Sequence, residues 1–419
     1  MRGHQLYLVS FLNFKRKISH IKCKRGKEER INKMRQYRKM NTKTFRTRHE
    51  FAKKINPKGK DYIIGLDAGY SSMKVFYENG YFCFPSFVKK LPSENLSVFS
   101  EKDILYKDLD TGEVFMVGYT AQEMISSTDT NDTEGELFSR KRYGNRHFHI
   151  LCNTAIGIAS LEKKDNRDIF IQTGLPASYL KGDTGALKKA LCLPANFALK
   201  IGTGRWQKVS FEVTPAKIHV IPQPAGSLYS VLIGKDGKYV PDAMAIMKAN
   251  TLVLDIGFGT CDFYGLKSRT IACEESINEI GMRSVMKRAS EIIMDEYQEE
   301  VRVPAMQSIL ESGKVICMNE DTMVTEERPV ADIIKRASDE VFKLAMDRAK
   351  AVTNAFRDYR YLIVSGGTGE AWYEKVKEYL AGMKTLTILP GNINDSLPFL
   401  YSNVRGYYMF RYIKNMMKG

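Results

Sequence analysis

Two similar segments constrain the fold of this chain more than any other feature. Each is an apolar run that ends in Asp-x-Gly and leads into a second run: "YIIGLDAGYSSMKVF" around Asp67 and "TLVLDIGFGTCDFYG" around Asp255. The two aspartates lie 188 residues apart, which is too far for a short-period solenoid. We therefore predict an α/β protein in which two similar domains face each other across a cleft.

Both segments have the composition of a phosphate-binding turn. Glycines let the backbone approach a phosphate closely, and consecutive N–H groups form a concavity that binds anions. Lys74 lies seven residues after Asp67 on the returning strand, from where it would reach the β- and γ-phosphates. Each aspartate ends a strand, where it would hold water ligands of Mg²⁺. The predicted ligands in these two loops are Asp67, Gly69, Tyr70, Ser71, Ser72, Lys74, Asp255, Gly257, Gly259 and Thr260.

A third glycine-rich turn, "IVSGGTGE" at 363–370, follows an apolar strand and opens a predicted helix. Gly366 and Gly367 would let a base and ribose lie against the backbone, and the helix N-terminus there favours phosphate oxygens. Thr368 and Glu370 belong to the same predicted site. For Glu370 the alternative is an acid that only stabilises the first helical turn.

In this order the three loops resemble the phosphate-1, phosphate-2 and adenosine loops of the actin/Hsp70/sugar-kinase superfamily, whose domains are ribonuclease H-like. The chain is most similar to bacterial actin-like ATPases of the ParM/StbA plasmid-segregation type. "NVRGYYMF" near the C-terminus resembles their Asn-x-x-Gly-Tyr segment, and "INEIGMRSVM" resembles the helix after their second phosphate loop. The second resemblance implies that Gly281 is a further nucleotide-binding residue. The resemblance covers about residues 61–419. It implies ATP, with GTP as the alternative, and Mg²⁺ held through water by Asp67 and Asp255.

The two predicted catalytic residues are Asp255 and Gln223. Gln223 lies 32 residues before Asp255 in "VIPQPAGSLYS", at the start of a predicted helix. The segment resembles the one in which actin carries a glutamine that orients water, whereas many ParM-type proteins have a glutamate there. A neutral amide cannot be a strong base, but it can orient an attacking water. The alternative is that Gln223 only caps the helix.

The net charge of +16 is confined to one end of the chain. Residues 1–60 contain 20 Lys and Arg against 3 Glu, a net of +17, and residues 61–419 have a net of −1. We expect 1–60 to be a disordered basic tail that contacts DNA or an acidic surface. The alternatives are a passive solvated tail and a misassigned translation start, since Met34 and Met40 lie just before the body.

The loops also predict the domain boundaries. Domain I would comprise 61–235 and be completed by about 390–419, and domain II would comprise 236–390. Asn79-Gly80 between apolar runs predicts a hairpin. Helical spacing predicts helices over 276–298 and 330–355 and a closing helix at the C-terminus.

The family resemblance implies a function in filament assembly. Subunits would assemble head to tail, ATP hydrolysis would destabilise the filament, and a DNA-binding adaptor on a centromere-like plasmid site would be the partner. A cell-shape or other cytoskeletal filament, a non-catalytic scaffold and a small-molecule kinase are the alternatives. A kinase would need an acidic base where this chain has Gln223. Asp262, in "GTCDF", is either a further site residue or a residue that only satisfies its hairpin.

Composition indicates a cytoplasmic protein with no membrane contact. No stretch approaches the roughly 20 apolar residues of a membrane span. "LYLVSFLNF" at 6–14 is too short and is followed by "KRK", so we do not expect a signal peptide. The seven cysteines are scattered without a CxxC, which favours reduced thiols over disulfides or a zinc site.

Overall fold

The computed structural model of the chain describes residues 41–92, 99–124 and 140–417. Its strands are β1 (Glu50–Lys53), β2 (Tyr62–Ala68), β3 (Ser72–Tyr77), β4 (Gly80–Pro85), β5 (Val88–Lys90), β6 (Ile104–Asp108), β7 (Val114–Val117), β8 (Ile169–Leu175), β9 (Phe197–Ile201), β10 (Gln207–Val209), β11 (Ile218–Pro222), β12 (Thr251–Ile256), β13 (Thr260–Lys267), β14 (Thr270–Asn278), β15 (Lys314–Asn319), β16 (Val324–Pro329), β17 (Tyr361–Ser365) and β18 (Thr387–Pro390). Its α-helices are α1 (Tyr119–Glu123), α2 (Arg146–Leu161), α3 (Leu180–Leu191), α4 (Gln223–Leu232), α5 (Ala243–Lys248), α6 (Met282–Tyr297), α7 (Met306–Ser312), α8 (Ala331–Val352), α9 (Gly367–Tyr379) and α10 (Ser402–Met417). Short 3-10 helices occupy Thr42–Phe45, Arg140–Gly144, Ala177–Tyr179, Pro215–Lys217, Val303–Ala305 and Phe399–Tyr401.

The first half of the molecule, lobe I, consists of β1–β11 with α1–α4 and α10. Its main sheet has the order β1-β4-β3-β2-β8-β11, in which β2, β8 and β11 are parallel. Every residue of β2 is buried because the sheet is covered on both faces. Tyr62, Ile64 and Leu66 pack in the cluster that includes α2, while Ile63 packs in the cluster that includes α10. A smaller antiparallel sheet, β10-β9-β6-β7-β5, completes lobe I.

The second half, lobe II, consists of β12–β18 with α6–α9. Its sheet has the order β14-β13-β12-β17-β18, with β12, β17 and β18 parallel and β12, β13 and β14 antiparallel. This order repeats β4-β3-β2-β8-β11 of lobe I, strand for strand. The repeated Asp-x-Gly segments therefore start equivalent hairpins in two equivalent sheets, and the predicted α/β architecture is confirmed. The boundaries at residues 235 and 390 stay a prediction.

Helices α4 and α10 pack against each other between the two sheets. A Cβ on Gly406 of α10 would lie 1.7 Å from the carbonyl oxygen of Gly226 in α4, so the two backbones are closer than any side chain allows. The cluster around them contains Ile63 of β2 and Val253 of β12. This apolar layer joins the two lobes behind the cleft.

Local predictions agree with the structure in most places and fail in two. The hairpin at Asn79-Gly80 and the closing helix are confirmed. The predicted helix over 276–298 starts only at Met282, because 276–278 continue β14 and pair with β13.

The predicted tail also differs at its C-terminal end. The sequence predicts disorder up to residue 60, whereas 42–45 form a 3-10 helix and β1 pairs with β4. Phe45 is buried in the core of lobe II, which is why this segment is ordered despite its charge. The tail prediction for residues 1–40 lies outside the described residues.

Among the residues that the structure describes, none of the helices combines the length and apolar character that a bilayer crossing requires.

Candidate nucleotide site

A cleft of about 810 Å³ lies between the two lobes, and the three glycine-containing turns meet in it. The first turn joins β2 to β3, the second joins β12 to β13, and the third joins β17 to α9. The predicted residues that line the cleft are Asp67, Gly69, Tyr70, Ser71, Ser72, Lys74, Gln223, Asp255, Gly257, Gly259, Thr260, Gly366, Gly367, Thr368 and Glu370. Gly281 is not among its lining residues and instead packs on the second turn, where a Cβ would lie 2.5 Å from the carbonyl oxygen of Phe258.

Asp67 organises the lobe I side of the cleft. Its side chain is buried at the end of β2 and accepts hydrogen bonds from Lys74 Nζ at 2.9 Å and from Gln223 Nε2 at 3.0 Å. Lys74 Nζ also lies 2.8 Å from the position that a Cβ on Gly69 would occupy. The ammonium group is thus held directly beside the glycine turn, where it can meet an anion.

Gln223 is the first residue of α4 and follows Pro222, which restrains the backbone at the strand end. The helix has no hydrogen bond from a capping side chain. The Gln223 amide donates to Asp67 across the cleft floor, so its side chain reaches beyond the helix end, and its role with water stays a prediction.

Asp255 is the corresponding acid of lobe II, and it is buried at the end of β12. Its Oδ2 accepts a hydrogen bond from Asn403 Nδ2 at 2.7 Å, and Asn403 Oδ1 accepts one from Ser227 Oγ at 2.7 Å. Burial raises the pKa of Asp255 and the nearby charge of Asp67 raises it further, although the bond from Asn403 opposes the shift. The ionised form of Asp255 therefore favours a neighbouring cation.

Asp262 adds a third buried acid. It pairs with Asp255 across the β12–β13 ladder and accepts a hydrogen bond from Thr260 Oγ1 at 2.9 Å. Burial and the carboxylate of Asp255 raise the pKa of Asp262 from 3.8 to about 7. Asp262 also lines the cleft, so it is placed where a further site residue would be, and that role stays a prediction.

These acids fit a cation that keeps most of its own ligands. Asp67, Asp255 and Asp262 interact electrostatically inside one cleft, and Lys74 is the cation bonded to Asp67. Yet no three His, Cys, Asp or Glu side chains of the described residues are grouped closely enough to hold a metal by themselves. Mg²⁺ commonly takes one or two carboxylates and completes its shell with water and phosphate oxygens, which matches this donor set.

The third turn is shaped by Gly366. Its φ of +83° is in the left-handed region, and a Cβ there would lie 2.3 Å from the carbonyl oxygen of Ile256. Thr368 Oγ1 donates to the carbonyl oxygen of Gly257 at 2.6 Å, which ties the third turn to the second. Glu370, in the first turn of α9, accepts hydrogen bonds from Phe399 N at 3.3 Å and Arg48 Nη2 at 3.4 Å.

Several lining residues were not found by sequence reasoning. Arg142 is buried with its guanidinium carbon 4.4 Å from the centre of the Tyr70 ring, a cation–π arrangement. It follows a polar stretch without any motif. Asn403 lies within the "NVRGYYMF" segment, so that resemblance was the available signal for it. Other unpredicted lining residues are Arg46, Arg48, Lys335, Ser338 and Lys375.

Comparisons with known proteins give a family-model match for the N-terminal part and the fold of most of the chain. Residues 65–226 match the family model described as the N-terminal domain of actin-like proteins. A non-polymerisable quadruple mutant of pCBH ParM matches with a TM-score of 0.63 and 17% identity, over 84% of this chain and 99% of the other. A 15-stranded ParM filament from Clostridium botulinum gives a TM-score of 0.60 and 17% identity, over 84% and 98%.

An ADP complex of Ta0583, an archaeal actin homologue, gives a TM-score of 0.55 and 16% identity, over 84% of this chain and 99% of the other. None of the curated proteins matches the sequence. At these identities the structural matches establish the fold, and the family model supports the same assignment over residues 65–226. The predicted resemblance is thereby confirmed: this chain has the ParM-like actin fold, and its residues 65–226 match the model of the N-terminal domain of the actin-like proteins.

Proposed function

We propose that this chain is a nucleoside triphosphatase, acting on ATP with GTP as the alternative, whose filaments segregate plasmid DNA. The observation that carries this proposal is the meeting of two Asp-x-Gly turns in one cleft, with Gln223 hydrogen-bonded to Asp67. The fold supports it, since one neighbour in the comparisons is a ParM filament and another is an ADP complex.

The nucleotide would lie between the turns of the two lobes. Backbone N–H groups of the Gly69 and Gly257 turns and the ammonium of Lys74 would bind its phosphates. Gly366 and Gly367 would face the nucleoside, with Glu370 beside it. Bound Mg²⁺, held through water by Asp67 and Asp255, would neutralise charge that develops on the phosphate oxygens.

Gln223 would orient the attacking water. Its Nε2 donates to Asp67, which fixes the amide plane and leaves Oε1 to accept a hydrogen bond from water. An amide cannot remove a proton efficiently, so its contribution is to position the water and not to act as a base. Phosphoryl transfer to a small-molecule acceptor would need an acidic base at this position. Because Gln223 is not a base, the cleft suits slow hydrolysis coupled to assembly better than such a transfer.

Assembly would be head to tail. A contact between two different surfaces that does not close into a ring generates an open filament. A DNA-binding adaptor on a centromere-like plasmid site would attach the filament to its cargo in the cytoplasm. A cell-shape filament would use the same cleft and the same assembly, and only the cargo would differ.

Light scattering with pelleting tests the proposal. Mg-ATP, Mg-GTP or Mg-ADP is added to the full chain, and to a shortened chain that starts at residue 41 and so retains β1 and Phe45. We expect scattering to rise with a triphosphate and to fall as phosphate is released. Bound ATP without any scattering or pelleting would refute the filament function and leave a scaffold or kinase. No binding of any nucleotide would refute the assignment of the cleft itself.

A further inference from the structure

The segment between residues 42 and 53, which we call the strap, crosses the mouth of the cleft and is fixed to both lobes. Its first part is anchored in lobe II. Thr42 Oγ1 donates to the carbonyl oxygen of Leu310 at 2.8 Å, Phe45 is buried in the lobe II core, and Thr47 N donates to Gln307 Oε1 at 3.0 Å. Leu310 and Gln307 belong to α7, so the strap begins as part of this lobe.

The second part of the strap is anchored in lobe I. Strand β1 pairs along its whole length with β4, from Glu50 opposite Cys83 to Lys53 opposite Gly80. The ring of His49 packs against that of Tyr119 in α1, with centroids 5.8 Å apart. The chain therefore passes from one lobe to the other within a few residues.

Arg46 is the residue at the crossing point. Its side chain is only 6% exposed, although its acidic partners are largely exposed. Arg46 Nη1 donates to Glu311 of α7 at 2.6 Å and to the hydroxyl of Tyr119 of α1 at 2.8 Å, and Nη2 donates to Glu123 of α1 at 3.4 Å. One buried guanidinium thus joins the lobe II helix to the lobe I helix.

The strap also forms part of the wall of the cleft. Residues 44–48 line it, and Arg48 pairs with Glu370 at the start of α9, directly after the third glycine turn. When the two lobes separate, Arg46 must leave either Glu311 or Tyr119 and Glu123. Separation therefore breaks hydrogen bonds of the buried Arg46 guanidinium. Such charge-assisted bonds are among the stronger hydrogen bonds, so breaking them costs more free energy than breaking neutral ones.

We propose that the strap is a latch across the cleft mouth and that Arg46 is the positioning residue that limits how fast nucleotide leaves. The inference depends on the proposed function, because it concerns the nucleotide that the cleft would bind. Arg46 does not act on the phosphates in this scheme. It holds α7 of lobe II close to α1 of lobe I, and so keeps the cleft closed over the nucleotide.

The test measures release of ATP labelled on its ribose with a fluorophore, chased with unlabelled ATP in a stopped-flow instrument. The full-length protein is used below the concentration at which scattering rises. Loss of one or two charged hydrogen bonds corresponds to about a ten-fold change or more in an equilibrium or rate constant. Arg46→Ala should therefore release the label about ten-fold faster than the wild type. Arg46→Lys keeps the charge but not the planar fork, and its rate should lie between those of Arg46→Ala and the wild type.

Two further variants separate a latch from a general loss of structure. Lys43→Ala removes an exposed pair with the same Glu311, at 2.8 Å, and this pair lies within the lobe II side of the strap and does not join the two lobes. Its release rate should stay within about three-fold of the wild type. Tyr119→Leu removes the partner in lobe I and should accelerate release, while combining it with Arg46→Ala should add little because both break one connection.

Each outcome has a distinct meaning. Release at the wild-type rate from Arg46→Ala and Tyr119→Leu, with labelled ATP still bound, overturns the latch and leaves the proposed function intact. Equal acceleration by Lys43→Ala also overturns it, since the effect would not depend on bridging. If Arg46→Ala does not fold, Tyr119→Leu and Arg46→Lys decide the question. Failure of the wild type to bind labelled ATP or GTP overturns the proposed function and the latch with it.

Discussion

Replacing Asp262 by asparagine is expected to stabilise the nucleotide-free protein, and to do so more strongly at neutral than at acidic pH. Asp262 is buried, and burial together with the charge of Asp255 raises its pKa from 3.8 to about 7. Asparagine keeps the size of the side chain. Its amide oxygen can still accept the hydrogen bond that Thr260 Oγ1 donates at 2.9 Å.

The sign of the effect follows from proton linkage. The unfolded chain releases the Asp262 proton near pH 3.8, whereas the folded protein keeps it up to about pH 7. Between these values unfolding releases a proton, so the free energy of unfolding falls as pH rises. At about 1.4 kcal/mol per pH unit, the loss is on the order of 2 kcal/mol at about pH 5 and on the order of 4 kcal/mol from about pH 7 upward. A neutral amide at this position carries no such penalty, so Asp262→Asn should regain these amounts.

The assay is urea unfolding of the nucleotide-free protein at about pH 5 and about pH 8. Fluorescence of Trp372 suits it, because this buried side chain lies in lobe II with Asp262 and bonds to Ser338. Asp321→Asn, at an exposed position between β15 and β16, is the matched control and should change stability little at either pH. An equal gain for Asp262→Asn at both pH values, or a loss at the higher one, would refute the electrostatic reasoning.

Three further predictions concern hydrolysis, packing and the tail. Gln223→Ala should slow phosphate release by about 10²-fold while labelled ATP still binds, and an unchanged rate would exclude its proposed role. Gly406→Ala should lower the free energy of unfolding in urea by about 3 kcal/mol, because its Cβ would lie 1.7 Å from the carbonyl oxygen of Gly226; wild-type stability would contradict that packing. Deleting 1–40, which removes 13 Lys and Arg, should abolish DNA retention at about 0.1 M salt without slowing hydrolysis; negligible retention by the full chain would exclude a DNA tether.

The turns of the cleft could be predicted from sequence because their chemistry is local. A glycine that admits a close backbone approach and an aspartate at a strand end leave a signature within a few residues, as around Asp67 and Asp255. The repeat of that signature also predicted the paired sheets. The roles of these side chains with nucleotide and metal remain predictions.

The remaining lining residues could not be predicted because distant parts of the chain bring them together. Arg142 and Arg46 are basic residues in polar stretches, and no spacing rule distinguishes them from surface charges. Arg46 is buried only because Phe45 enters the lobe II core and β1 pairs with β4. The predicted helix over 276–298 fails for a related reason, since pairing of β14 with β13 outweighs the helical spacing of its first residues.

The two interlobe connections differ in a way that constrains how the cleft can open. At its floor, Asn403 of α10 donates to Asp255 of lobe II, and Val253 of β12 packs in the same buried cluster as residues of α4 and α10. At its mouth, Arg46 joins α1 to α7 through partners that are largely exposed to water. Water can replace the partners of Arg46 as the lobes part, but it cannot enter the buried cluster that joins α4 and α10 to β12 without breaking the core. Opening should therefore hinge at the floor and begin at the strap, which is why the rate of nucleotide release is expected to respond to Arg46.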